Sequence, residues 1–202
     1  MEHHESRSLP RILLTGDRGI GKSTVCEETV GLLKARGLRC GGILTTKILS
    51  ERGAIVGIRI KDILSAPPRE CLLARTDQDL GGPATGRYWF SPEGVQFGNA
   101  ALERAAAEAD VIFADELGHL ELRGEGFTNI FSLLQSARTP AMVVVAQNEF
   151  VSQVQERVRS RDLALLEVTL SNRGHLAQRL VELLLCCCIQ SSDLSQSVIG
   201  EK

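Results

Sequence analysis

Residues 16–24 read Gly-Asp-Arg-Gly-Ile-Gly-Lys-Ser-Thr and fill every fixed position of the pattern G-x-x-x-x-G-K-[ST]. The chemistry such a run can do is phosphate binding. Glycines let backbone N–H groups close on an anion, because side chains would block the concavity. A helix starting at Lys22 adds unpaired donors and a partial positive charge at its N-terminus. Lys22 would then reach the β- and γ-phosphates of a nucleotide, while the Ser23 hydroxyl would sit on Mg²⁺. An ordinary glycine turn with a solvated lysine is the plainer alternative, and the flanking pattern argues against it. Arg11-Ile12-Leu13-Leu14-Thr15 is a strand running into the loop. Val25, Thr29, Leu32 and Leu33 form a one-sided helical stripe after it.

Such loops work with an acid at the end of a second apolar strand, which shares the metal. Asp115 follows Val111-Ile112-Phe113-Ala114 and meets that description. Glu116, one position on, is placed to orient and polarise an attacking water, and that favours hydrolysis. A surface glutamate capping the next turn is the competing reading. Glu121 is a weaker acid candidate that would support the loop. Asp115-Glu-Leu-Gly118 also fits the D-x-x-G pattern of GTPase switches. The guanine-reading N-K-x-D is absent, however, and Thr46-Lys47-Ile48-Leu49 lacks its aspartate. A cation meeting charge on the transferring phosphoryl group would come from Arg18, Arg159, Arg161 or Arg173. For each of these a solvated surface charge is the plainer reading. Gln147 and Asn148, at the end of another apolar strand, are candidates to sense the γ-phosphate through a water. His119 is a loop histidine that contacts phosphate or substrate, or merely faces solvent.

The elements that must carry these residues alternate between strand and helix patterns, which predicts an α/β sheet with helices packed on it. Gly41–Ile48 and Ala54–Ile63 read as a hairpin around Ser50-Glu51-Arg52-Gly53. Cys71–Arg75 and Arg87–Phe90 read as extended, with a loop over Gly81–Gly86. Helices are predicted over Asn99–Ala109, from near Gly126, over Glu149–Val158, and along Leu176, Leu180, Leu183 and Leu184. Ala141–Ala146 has the continuous apolar run of a central parallel strand. Leu165–Thr169 is the last strand. One domain spans 10–188, between a flexible start (1–9) and a serine-rich flexible tail (189–202).

Composition sets the outer bounds. The chain has 202 residues, 43% hydrophobic and 24% charged, with net charge −2. That suits one globular domain with no basic footprint for nucleic acid. No apolar run approaches the ~20 residues of a membrane span, and the start lacks the apolar core of a signal peptide. His3 and His4 read as part of a disordered polar start rather than as metal ligands. Six cysteines, at 26, 40, 71, 186, 187 and 188, form no C-x-x-C pair, which fits a reduced cytoplasmic compartment. Cys26 is expected to pack as a small apolar side chain. Cys186-Cys187-Cys188 point to different helix faces and so cannot form one zinc site.

Val111–Leu122, VIFADELGHLEL, resembles the second motif of the THEP-type small nucleoside triphosphatases, three apolar residues followed by D-E-[IL]-G-K-M-E-L. Gly41-Gly42-Ile43, Gly86-Arg87-Tyr88, Ala100–Leu102 and Val168-Thr169-Leu170-Ser171-Asn172-Arg173 resemble further elements of that family, in order, across residues 10–185. The resemblance implies a single P-loop domain of RecA/AAA-like, three-layer αβα form, mostly parallel with an antiparallel hairpin extension. It also implies Mg²⁺-dependent hydrolysis of ATP, GTP, CTP and UTP with loose choice of base. The nucleotide would lie on Gly16, Asp17, Arg18, Gly19, Ile20, Gly21, Lys22, Ser23 and Thr24, with Asp115, Glu116 and Arg173. Ser23 and Asp115 would hold the metal, and Glu116 and Lys22 would carry catalysis. The chain departs from the family at His119, where a lysine is usual, at Asp17-Arg18, where Pro-Pro is usual, and at its cysteine-rich end. Two other classes share the loop, a small-molecule kinase and a nucleotide-dependent switch or assembly factor. Oligomeric state is left open.

Overall fold

The computed structural model describes residues 9–158 and 163–192, with side chains up to residue 186. Arg159, Arg161, His3 and His4, the side chains of Cys187 and Cys188, and the tail beyond 192 lie outside the described residues.

In chain order, β1 (Arg11–Thr15) leads through the loop into α1 (Lys22–Lys34), followed by β2 (Cys40–Leu49), β3 (Ile55–Asp62) and β4 (Arg69–Arg75). The short strands β5 (Ala84–Thr85) and β6 (Tyr88–Phe90) precede α2 (Pro92–Glu108) and β7 (Val111–Leu117). Then come α3 (His119–Arg123), α4 (Ile130–Gln135), β8 (Ala141–Ala146), α5 (Val151–Val158), β9 (Leu163–Glu167) and α6 (Leu176–Ser192). The nine strands form one sheet in the order β5-β6-β4-β3-β2-β7-β8-β1-β9. From β2 to β9 every neighbouring pair is parallel. The β2–β3 hairpin starts an antiparallel extension that β4, β6 and β5 continue. One strand, β8, stands between the strand feeding the glycine loop and the strand carrying Asp115.

Alternation along the central strands builds two cores. Ile12, Leu14, Val111, Phe113, Val143 and Val145 face α1 and α6, meeting Val25, Leu33, Leu180 and Leu184. Leu13, Ile112, Ala114, Met142 and Val144 face the other way, onto α2, α4 and α5 through Leu102, Ala105, Ile130, Leu134 and Val154. The result is the three-layer αβα arrangement expected for this chain. The buried Arg11 starts β1 and donates to the carbonyls of Ser136, Thr139 and Pro140, tying β1 to the turn before β8.

Local differences from the expected boundaries have physical causes. α2 begins at Pro92, before the expected Asn99, with the Ser91 hydroxyl accepting from the Gly94 amide as an N-cap. Gly94 and Gly98 interrupt the apolar stripe because the helix crosses close to other parts: a Cβ on Gly94 would strike Leu72, and one on Gly98 would strike Phe127. The helix expected from Gly126 starts at Ile130, while Phe127 is buried ahead of it. α6 continues through Ser192, beyond the Cys186–Cys188 run. Gly42, paired with Phe113, has φ +96°, and a Cβ there would collide with the Phe113 carbonyl. Gly42→Ala is therefore expected to lower stability by about 3 kcal/mol, measured by urea unfolding, since it combines backbone strain with a clash inside the parallel sheet.

Candidate active site

β1 ends at Thr15, and Gly16, Gly19 and Gly21 follow with φ of +145°, +81° and +113°, a backbone path that L side chains rarely adopt. Nothing lies within 4 Å of where a Cβ would stand on Gly19 or Gly21. At Gly16 it would meet the Val168 carbonyl, so the loop rests against the segment after β9. No side chain caps α1, leaving its first amides open to an anion. The buried Lys22 folds back, its Nζ donating to the carbonyls of Gly16 (2.8 Å) and Asp17 (3.0 Å). Ile20 packs toward Gly16, and Thr24 is exposed on the first turn.

β7 delivers the two acids. Its pairing with β8 runs from Ala114↔Val144 to Leu117↔Ala146, three steps against two, so a bulge falls at Asp115-Glu116 and re-aims both side chains. Asp115 is fully buried, and its Oδ2 accepts from the Thr45 amide (3.2 Å) and hydroxyl (3.0 Å) on β2. Burial, and then the charge of Glu116, push the Asp115 carboxyl up to about 6. The Ser23 hydroxyl beside it and the Thr45 donors pull the other way. Among the described residues no regular hydrogen bond reaches the buried Asp115 Oδ1. An unmet carboxylate oxygen next to a serine hydroxyl, with oxygen donors only, fits a small hard divalent cation such as Mg²⁺.

The half-buried Glu116 accepts from Gln147 Nε2 at 2.7 Å. Asn148 donates to Asp17 Oδ1 (3.1 Å) and Glu167 Oε1 (3.4 Å), and its own Oδ1 accepts from Thr15 Oγ1 (2.7 Å). Two consecutive residues after β8 thus join the acidic pair to the glycine loop. Ser23 adjoins Asp115, Gln147 bonds Glu116, and Asn148 bonds Asp17. Glu121 does not join these contacts. Its carboxylate accepts from the amides of Gly118 (2.8 Å) and Phe127 (3.0 Å), tying down the turn after β7, and burial raises its pKa. His119 stacks edge-on against Phe150, ring centroids 4.7 Å apart. Arg18 donates to the Tyr88 hydroxyl at 3.2 Å. Arg173 is exposed on the turn after β9, its guanidinium making no hydrogen bond or ion pair among the described residues. Cys26 is wholly buried in the core under α1, its thiol pushed well up by that burial and then by the Asp115 charge.

Sequence reasoning missed Thr45, and it singled out Gly86-Arg87-Tyr88 without linking Tyr88 to the glycine loop. Thr45 reads as an ordinary strand residue until the parallel pairing Ile43↔Ala114 brings it beside Asp115. Only the fold makes it visible.

A glycine loop and a bulged acidic strand separated by one strand define a P-loop nucleotide-handling α/β domain. A family model described as NTPase matches residues 11–181. The chain is 34% identical over 172 residues to the nucleoside-triphosphatase THEP1 of Methanopyrus kandleri, covering 85% of this chain and 93% of that protein. It is also 34% identical over 170 residues to the THEP1 of Thermofilum pendens, covering 83% and 91%. The crystal structure of THEP1 from Aquifex aeolicus superposes with a TM-score of 0.68 at 24% identity, covering 86% of this chain and 98% of that one. The solution structure of a human cancer-related nucleoside triphosphatase does so at 0.62 and 22%, covering 91% and 98%, and these two likenesses speak to the fold. The chain belongs to the NTPase family, whose matched curated members carry the name nucleoside-triphosphatase THEP1.

Proposed function

We propose that this nucleoside-triphosphatase converts nucleoside 5′-triphosphates and water to diphosphate and phosphate with Mg²⁺, through the loop Gly16–Thr24 and the pair Asp115-Glu116. One observation carries the reading: Asn148 and Gln147, adjacent in the chain, bond Asp17 of the loop and Glu116 respectively, while Ser23 adjoins Asp115. That proximity supports a shared hydrolytic role for the loop and the acidic pair.

The loop amides and the α1 N-terminus bind the phosphate tail. Lys22 exchanges its carbonyl partners for β- and γ-oxygens. Ser23 and Asp115 would hold the metal, which would supply neutralisation of charge on those oxygens. Glu116, kept in place by Gln147, orients a water and accepts its proton as the oxygen closes on the γ-phosphorus. Recognition through the tail leaves the base unread, which supports loose choice among ATP, GTP, CTP and UTP. The free thiols Cys26, Cys40, Cys71 and Cys186 support a reducing compartment such as the cytoplasm. No helix among the described residues is long and apolar enough to cross a membrane.

Phosphate release from each of the four ribonucleotides, with and without Mg²⁺, tests this reading. Metal-dependent release of similar rate from all four is expected; release without added metal, or from one base alone, overturns the corresponding part. Lys22→Ala should weaken triphosphate binding by roughly 100-fold, read by equilibrium titration with a fluorescent nucleotide, because it removes the only cation that the motif aims at the β- and γ-phosphates.

A further inference from the structure

A second cation reaches the loop from the far end of the sheet. β5 and β6 pair Thr85 with Tyr88, leaving Gly86-Arg87 as a two-residue turn with Gly86 at φ +56°. Arg87 therefore stands at the tip of a hairpin, and it is exposed. The hairpin is moored on both sides of the site. Tyr88 Oη accepts from Arg18 of the glycine loop at 3.2 Å, and Arg123, on the helix after the acidic strand, donates to the Ala84 carbonyl at 3.2 Å.

Arg87 Nη2 shares that Tyr88 oxygen at 3.4 Å, and its guanidinium lies 5.3 Å from the Tyr88 ring centroid. Two guanidinium groups thus converge on one phenol oxygen. Among the described residues no carboxylate forms a salt bridge with either. Such a pair repels itself and favours an incoming anion. The location says which anion. Lys22 Nζ rests on the carbonyls of Gly16 and Asp17, so the terminal phosphates belong beside that stretch, and Arg18 follows it directly. Asp17 is also the residue that Asn148 links toward Gln147 and Glu116.

We propose that Arg87 is the cation that meets charge developing on the γ-phosphoryl group, with Tyr88 and Arg18 as its positioning residues. The assignment rests on the hydrolytic reading above. As the water oxygen bonds to the γ-phosphorus, the bond to the β,γ-bridging oxygen breaks and its electron pair stays on the diphosphate. The water's proton passes to Glu116. Arg87 transfers no proton; its guanidinium trades the phenol oxygen for γ-oxygens and stabilises their charge in the transition state.

Full-length protein is compared with Arg87→Ala and Arg87→Lys for phosphate release, affinity for a non-hydrolysable triphosphate, and affinity for diphosphate plus aluminium fluoride, which mimics the transferring group. Arg87→Ala should lower kcat by roughly 100-fold or more. It should leave triphosphate affinity within about threefold and weaken the aluminium fluoride complex at least tenfold. Arg87→Lys should recover part of both losses, since it keeps the charge but not the fork. The aluminium fluoride measurement needs no turnover, so it stands even if Glu116→Gln removes Glu116 from the mechanism. A kcat within threefold of wild type, or equal weakening of the triphosphate and aluminium fluoride complexes, overturns the proposal.

Discussion

Glu116→Gln should reduce turnover by roughly 1,000-fold while leaving nucleotide affinity within a few-fold of wild type. The amide is nearly isosteric, and its carbonyl can still accept the Gln147 Nε2–H bond that now measures 2.7 Å to Glu116. Geometry is preserved, and the proton acceptor is lost. A second readout separates this from mere disruption. The Glu116 charge is one reason the Asp115 carboxyl sits at about 6, so the variant should shift that titration downward toward the ordinary carboxylate range. Single-turnover phosphate release gives the first effect, and the pH dependence of folding stability gives the second. Unchanged hydrolysis would mean that another group handles the water.

Asp115→Asn tests the metal position through stability rather than rate. A carboxyl raised from 3.8 to about 6 holds a proton more tightly in the folded chain than in the unfolded one. Its favourable contribution is complete below about pH 4 and is lost as pH rises through 6. Without metal, wild-type protein should therefore lose stability relative to Asp115→Asn between pH 4 and 7.5, by up to about 3 kcal/mol. Adding Mg²⁺ at pH 7.5 should restore wild type and leave the variant unmoved, because only the ionised carboxylate gains a partner for its unmet Oδ1. Urea unfolding at the two pH values, with and without Mg²⁺, gives all of these differences. A pH-independent gap between the two proteins would show that Asp115 titrates normally.

Within the parallel half, β1, β7, β8 and β9 were legible because each carries an apolar run. Arg11–Thr15 and Ala141–Ala146 have the bounds read from the sequence. Motif spacing alone also singled out the glycine loop and Asp115-Glu116, and the fold sets the Ser23 hydroxyl beside Asp115. Other parts were hidden for a physical reason. α3 has five residues and too little stripe to register, and α2's first turns contain glycines whose purpose is contact with Leu72 and Phe127. Thr45 and the Arg18–Tyr88 bond depend on strand order, a long-range property that local periodicity does not encode. Gln147 and Asn148 were correctly placed at a strand end; their joining of Glu116 to Asp17 came from the sheet.

With β8 inserted between β1 and β7, the strand feeding the glycine loop and the strand carrying Asp115 stand two inter-strand spacings apart, roughly 10 Å in all. Main-chain hydrogen bonding along both ladders meters that separation. Substitutions at residues 17, 18, 87 or 147 are therefore expected to leave this gauge untouched, because it is inherited from the ladder beneath.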